Sequence, residues 1–264
     1  MMSGKLIIFA DYGLDDAAAT VSIIKNHVLF DQIDIVAIGG NVPPDISLRN
    51  CITLLNSMPD ANSKITVVDT TRVAQRFEYL AEVHGKDGMG DFFRQNGDTS
   101  SLVLTDYEQW LAGLDGNEII LSLGPATLVK PILERHPVKQ LVLMGGCVAT
   151  APNFGEYEFN EAMDPEAFAY CLTFPHVAIT LDTCRVPKLD MRRLRIEGAD
   201  VHSAILRATQ AFSISHGEEG CFVWDDVAAC YLMHPERFLP VQKTDPHGNV
   251  ITMAEYISEL EYFE

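Results

Sequence analysis

Short apolar runs punctuate the chain at 6–10 (LIIFA), 33–38 (IDIVAI), 65–68 (ITVV), 119–123 (IILSL), 141–144 (LVLM) and 177–181 (VAITL). They are rich in Ile, Val and Leu without strict alternation, as expected of strands covered on both faces in a parallel sheet. Between them, 15–25, 47–56, 126–135, 165–171 and 225–233 carry helix-like patterning. Alternating strands and helices predict a single doubly wound α/β domain over 1–264, with a mostly parallel central sheet. Functional groups then belong at the carboxyl ends of its strands. The polar, turn-rich stretch 87–101 reads as an excursion from the domain, and 210–220 as a mobile loop or frayed helix.

With 264 residues and 47% hydrophobic content, the chain is long and apolar enough to bury a substantial core. Its 19 Lys and Arg face 37 Asp and Glu, a net charge of −18, which excludes the basic face that a phosphate-tracking nucleic-acid binder needs. No window approaches the ~18 consecutive apolar residues of a membrane span, so neither nucleic acid nor membrane is an expected partner. Six cysteines without C-x-x-C spacing fit reduced thiols rather than a disulfide or thiolate-zinc framework. The N-terminal run is too short for a signal peptide, and a cytoplasmic location is expected.

The chemistry concentrates in FADYGLDDAAA at 9–19, where an apolar strand ends at Asp11, Gly13 permits a turn, and Asp15 and Asp16 open an Ala-rich helix. Carboxylates are favoured in a first helical turn, where unpaired N–H groups meet the positive end of the dipole. That preference explains one or both of Asp15 and Asp16 but not Asp11. Three acids so close repel one another unless a proton or cation relieves them. A hard divalent cation with oxygen ligands is the economical remedy. Further along, Trp224 and Asp225 precede a helical stretch, where Asp225 alone reads as an N-cap. Glu158 and Asn160 stand two residues apart and share a face if extended. Asn41 follows Gly39-Gly40 after the second apolar run, and His84 lies in a Gly-rich turn; taken singly, these are ordinary loop residues.

In order, these pieces resemble the inosine–uridine-preferring nucleoside hydrolase family. Its opening motif, Asp-x-Asp-Pro-Gly-x-Asp-Asp-Ala, is matched at Asp11, Gly13, Asp15, Asp16 and Ala17. Gly40-Asn41, His84-Gly85, Gly124-Pro125, Met144-Gly145-Gly146, Glu158-Phe159-Asn160, Asp164-Pro165-Glu166-Ala167, Asp225 and His234-Pro235-Glu236 follow, covering about residues 5–240. The resemblance implies a Ca²⁺ ion held by Asp11, Asp16, Asp225 and the backbone carbonyl of Leu123. It implies ribose contacts from Asp15, Asn41, Asn153, Glu158, Asn160 and Asp225, although the gap from Asn153 to Glu158 is one residue short. It also implies a nucleoside substrate and assembly as a homodimer or homotetramer.

The implied reaction is hydrolysis of an N-glycosidic bond, which builds positive charge on the ribose ring. Anions beneath that ring favour the developing cation over the neutral substrate. The metal would position a water and raise its acidity, with Asp11 as the general base that takes its proton. Several positions depart from the family pattern. Phe9 and Tyr12 replace the first Asp and the Pro of the motif, which predicts a weakened metal shell. Trp224 replaces the His of pyrimidine-tolerant members and is a candidate stacking platform for a purine, or else a core Trp at a helix start. His84 and His216 are candidates for protonating the leaving base. The chain is also short after Asp225, which would open the site or expose an interface. Two alternatives stand beside the hydrolase: a ribose-binding protein that has lost turnover, and a metal-dependent phosphoryl-transfer enzyme. The latter is opposed by the lack of a G-x-x-x-x-G-K-[ST] cradle.

Overall fold

The structure, a computed structural model, describes residues 4–26, 29–58, 64–91, 97–185, 188–190, 195–197, 201–215 and 220–257. The expected apolar runs become strands β1 (Lys5–Ala10), β2 (Gln32–Ala37) and β3 (Ile65–Asp69), then, after β4 (Val103–Asp106), β5 (Ile119–Ser122), β6 (Gln140–Met144) and β7 (Val177–Ile179). Beyond them lie β8 (Lys188–Asp190), β9 (Gly220–Phe222), β10 (Phe238–Thr244) and β11 (Val250–Tyr256). Nine of these form one sheet in the order β10-β11-β7-β6-β5-β1-β2-β3-β4, while β8 and β9 pair separately. All pairings in the large sheet are parallel except the β10–β11 hairpin, which joins β7 through the pair Met253 and Ala178. The expected doubly wound α/β architecture is present.

The sheet is covered on both faces, as its continuous apolar strands require. In β1, Leu6, Ile8 and Ala10 face one core, and Ile7 and Phe9 face the other. The helices are α1 (Leu14–Lys25), α2 (Pro44–Asn56), α3 (Ala81–His84), α4 (Tyr107–Leu111), α5 (Lys130–Leu133), α6 (Phe159–Met163), α7 (Pro165–Leu172), α8 (Leu181–Cys184), α9 (Val201–Ser215) and α10 (Trp224–Met233). Helix α1 packs against both α9 and α10. This contact matters for function, because it sets the acidic first turns of α1 and α10 at the same end of the sheet although the sequence separates them widely.

Several expectations are corrected. The stretch 126–135 is not one helix but a 3₁₀ turn, Ala126–Leu128, followed by the short α5. Pro131 has no N–H to offer the carbonyl one turn back, so it stands at the start of α5, where no donor is needed. The run 177–181 leaves the sheet after Ile179, because the Thr180 hydroxyl accepts the Thr183 N–H at 3.3 Å and opens α8. Segment 87–91 is packed rather than an excursion: Asn50 donates to the Asp87 carbonyl at 2.7 Å, and Met89 is buried. Residues 92–96 lie outside the described residues. Of 210–220, the part to Ser215 is helical, and 216–219, including His216, lies outside the described residues. Among the described residues, no helix is long and apolar enough to cross a membrane.

Candidate active site

Strand β1 delivers Asp11 to its carboxyl end, and the chain then turns into α1 through Tyr12, whose φ of 33° is in the left-handed region. Asp16 holds this turn together: Oδ2 accepts the Gly13 N–H at 2.8 Å and Oδ1 accepts the Asp11 N–H at 3.1 Å. Helix capping thus accounts for part of what Asp16 does. Asp11 is different. Its Oδ2 accepts the Asn41 N–H at 2.6 Å, while Oδ1 is buried with no hydrogen-bond partner. Glycines let the two neighbouring turns close around this carboxylate. A Cβ at Gly40 would run into Asp11 Oδ2, and one at Gly124 would stand 2.8 Å from Oδ1.

Carboxylate oxygens of Asp15, Asp16 and Asp225 lie within 4.8 Å of one another, with Asp16 and Asp225 buried. Asp15 Oδ1 is likewise buried without a hydrogen bond. Burial, with like charge from neighbouring acids, pushes Asp16 and Asp225 well above the usual carboxylate range. Burial also raises Asp11 to about 7, against the hydrogen bond from Asn41. These carboxylates cannot all be ionised together without a counter-charge, and none of the residues lining the adjoining pocket is Lys or Arg. Orphaned oxygens, mutual repulsion and the all-oxygen donor set fit a hard divalent cation. Of the expected set Asp11, Asp16 and Asp225, the last two fall in this group together with Asp15, and Asp11 does not.

Above the acids is a cavity of about 240 Å³. Asp15, Asn41, His84, Leu123, Asn153, Glu158, Asn160, Trp224 and Asp225 all line it, whereas Asp11 and Asp16 are not in its lining. Glu158 and Asn160 do not share the face of an extended segment. Glu158 instead caps α6, accepting the Glu161 N–H at 3.1 Å and the Gly146 N–H at 3.2 Å, and Asn160 is helical. The carboxylate satisfies N–H groups that the start of a helix leaves unpaired. Burial still raises it to about 7. Asn160 donates to the Leu123 carbonyl at 2.7 Å, so the carbonyl expected among the metal ligands already carries one hydrogen bond. Asn153 accepts the Phe159 N–H at 2.9 Å.

His84 is buried, not a surface residue. Its Nδ1 accepts the Leu14 N–H at 3.3 Å and stands 3.9 Å from Asp15 Oδ1. That bond places the proton of the neutral ring on Nε2. Burial lowers its pKa, with Asp15 acting the other way. Phe9 points away from the acids into the opposite core, edge-on to Trp110 at 6.3 Å. Tyr12 is wholly buried within the core on the α1 side of the sheet. Leu80, Val83 and Phe154, which no motif marked, line the cavity with Phe159 and make part of it apolar. The two Phe residues, interleaved with Asn153, Glu158 and Asn160, were the available signal.

Comparisons with known proteins identify the fold and the family. The family model described as inosine-uridine preferring nucleoside hydrolase matches residues 6–258. A pyrimidine-specific ribonucleoside hydrolase, RihA, of Salmonella enteritidis PT4 is 25% identical, with 92% of this chain and 83% of that protein covered. Among solved structures, a purine-preferring ribonucleoside hydrolase from Gardnerella vaginalis superposes with a TM-score of 0.73 at 21% identity, covering 96% of this chain and 93% of the other. An inosine-guanosine nucleoside hydrolase gives a TM-score of 0.68 at 20% identity, over 97% and 88%. With its acidic floor and polar rim in place and a family match across nearly its whole length, the chain belongs to the inosine–uridine preferring nucleoside hydrolases.

Proposed function

We propose that this chain cleaves the N-glycosidic bond of purine ribonucleosides, releasing ribose and the free base, with Ca²⁺ as its metal. The observation that carries the proposal is the make-up of the pocket. Asp15 and Asp225 of the acidic group reach its lining, no Lys or Arg does, and the amide and carboxylate groups of Asn41, Asn153, Glu158 and Asn160 stand among Leu80, Val83, Phe154, Phe159 and Trp224. The polar groups suit sugar hydroxyls, and the apolar and aromatic side chains suit a planar base.

Asp11, Asp15, Asp16 and Asp225 would hold the ion, which supplies a positioned water of lowered pKa. Asp11 Oδ1, which has no hydrogen-bond partner, would accept a proton from the water whose oxygen attacks C1′ as the bond to the base nitrogen breaks. The anionic floor favours the positively charged ribose of the transition state over the neutral nucleoside. The departing base gains a proton. His84 offers its Nε2–H for that step as a neutral donor, and His216 remains the other candidate.

The test is release of reducing sugar from inosine, guanosine, uridine and an aryl riboside, with and without a chelator. Metal-dependent release is expected, with the purines faster. Tight binding of nucleosides without release would favour the binding-protein alternative. Turnover of an aryl phosphate would favour phosphoryl transfer, which the lack of Lys or Arg in the pocket lining opposes.

A further inference from the structure

The pocket wall that carries Asn153 and Phe154 is held from outside by the far end of the chain. Residues 151–153, 155 and 156 are exposed. Phe154 and Tyr157 exchange two backbone hydrogen bonds, Phe154 N–H to Tyr157 O at 3.0 Å and Tyr157 N–H to Phe154 O at 3.1 Å, closing a small hairpin. On its inner side Phe154 lines the cavity and meets Phe159 edge-on at 5.4 Å. On its outer side the His247 ring stacks on Tyr157, with centroids 4.1 Å apart and planes 22° from parallel. His247 Nε2 lies 3.1 Å from the Glu156 carbonyl, which can only accept, so Nε2 donates. Among the described residues, this is the one hydrogen bond that ties 151–157 to an element beyond the neighbouring helix.

His247 is itself rigidly mounted. It stands in the turn between β10 and β11, where Asp245 Oδ1 accepts the N–H groups of His247 at 2.9 Å and Asn249 at 2.8 Å. Asn249 also donates its side-chain amide to Asp245 Oδ2 at 2.9 Å, and β10 and β11 pair along their full length. A stiff turn thus presents a planar ring to an otherwise exposed loop, whose ordering costs conformational entropy each time a ligand needs it ordered.

We propose that His247 is a positioning residue that clamps the 151–157 wall, so that the base and ribose meet a preformed surface. The inference rests on the nucleoside-hydrolase reading above. Glu158 is anchored separately by Gly146 and Glu161, and the acidic floor lies elsewhere, so the clamp acts on binding rather than on the bond-breaking step.

The experiment uses the full chain with Ca²⁺ and inosine. His247→Ala loses one stacked pair and one hydrogen bond, and KM is expected to rise about tenfold with kcat within about twofold. Hydrogen exchange at the Phe154 and Tyr157 amides should accelerate while the β10 and β11 amides keep their protection. His247→Phe, which retains the stack, should recover part of both effects. Unchanged KM and exchange in the Ala variant would overturn the clamp. So would a fall in kcat at constant KM, or accelerated exchange spread over β10 and β11, which marks a folding role. If the wild type hydrolyses no nucleoside, the hydrolase reading fails, and the exchange measurement still decides whether His247 orders the wall.

Discussion

Asp11 is bound to the backbone of Asn41 through one oxygen, at 2.6 Å, and buries the other with no partner. The bond fixes the carboxylate in orientation, and the glycines at positions 40 and 124 leave room for it and nothing larger. A buried unpaired oxygen is costly, so its retention points to a ligand or a proton that it serves. Asp11→Asn keeps the shape and an acceptor for the Asn41 amide but cannot take a proton. We expect kcat for inosine to fall about 10³-fold, with thermal stability preserved or raised because a repelling charge has gone. Wild-type turnover in a folded Asp11→Asn protein would remove Asp11 from the role of base.

The acidic floor predicts a stability effect that does not depend on turnover. A ligand that binds only the folded state at a hundred times its Kd adds about 2.7 kcal/mol. For a domain of this size that corresponds to about 5–10 °C in Tm. Ca²⁺ added to chelator-treated protein should produce such a shift, and Asp225→Asn should diminish it severely. Equal melting with chelator and with Ca²⁺ would argue that protons alone relieve the cluster.

Trp224 opens α10 one residue before Asp225 and lines the cavity. Loss of a stacking ring typically costs about 1–3 kcal/mol per base. Inosine is therefore expected to exceed uridine in kcat/KM, and Trp224→Ala to reduce the inosine value at least about tenfold while changing uridine less. Uridine equal to or better than inosine in the wild type would reject the purine assignment. The relatives do not decide it, since the Salmonella protein is described as pyrimidine-specific and the Gardnerella protein as purine-preferring.

What could be read in advance follows from physics at each position. Strands β1, β2, β5 and β6 are buried on both faces, so they appear as unbroken apolar runs. The edge strand β10 mixes exposed Leu239, Pro240, Gln242 and Lys243, and no run marks it. Asp11 was legible because an acid at a strand end needs a reason beyond capping, whereas capping alone accounts for Asp16 and Asp225, which only the order of the family motifs singled out. The helical setting of Glu158 and Asn160 was not, because spacing alone does not distinguish an extended pair from a capped turn. His247 could not be linked to the pocket at all: its contact with this loop joins residues 91 apart in sequence and leaves no local pattern.

A pH effect follows from His176, which joins β7 to β11 at a junction with one register pair. Its Nδ1 lies 2.8 Å from the Phe174 carbonyl, so that nitrogen donates, and Nε2 accepts the Thr252 N–H at 2.9 Å. Both nitrogens are used by the neutral ring, and protonation would set an N–H against the Thr252 N–H. Burial lowers the folded pKa below the ordinary 6.5. A depressed folded value means that the unfolded chain binds the proton first. The contribution of His176 is therefore complete above pH 6.5 and declines as pH falls toward the folded pKa, by at most about 1.4 kcal/mol per pH unit. The buried carboxylates with raised pKa values act in the opposite direction, so wild-type stability alone does not isolate the effect. The difference between wild type and His176→Gln does, because the carboxylates are common to both. Urea unfolding of the two proteins from pH 8 to pH 5 should show that difference shrinking on the acid side of about 6.5 and flat on the alkaline side. A difference independent of pH would mean that His176 titrates alike in the folded and unfolded chain, and that its two hydrogen bonds do not hold the ring neutral.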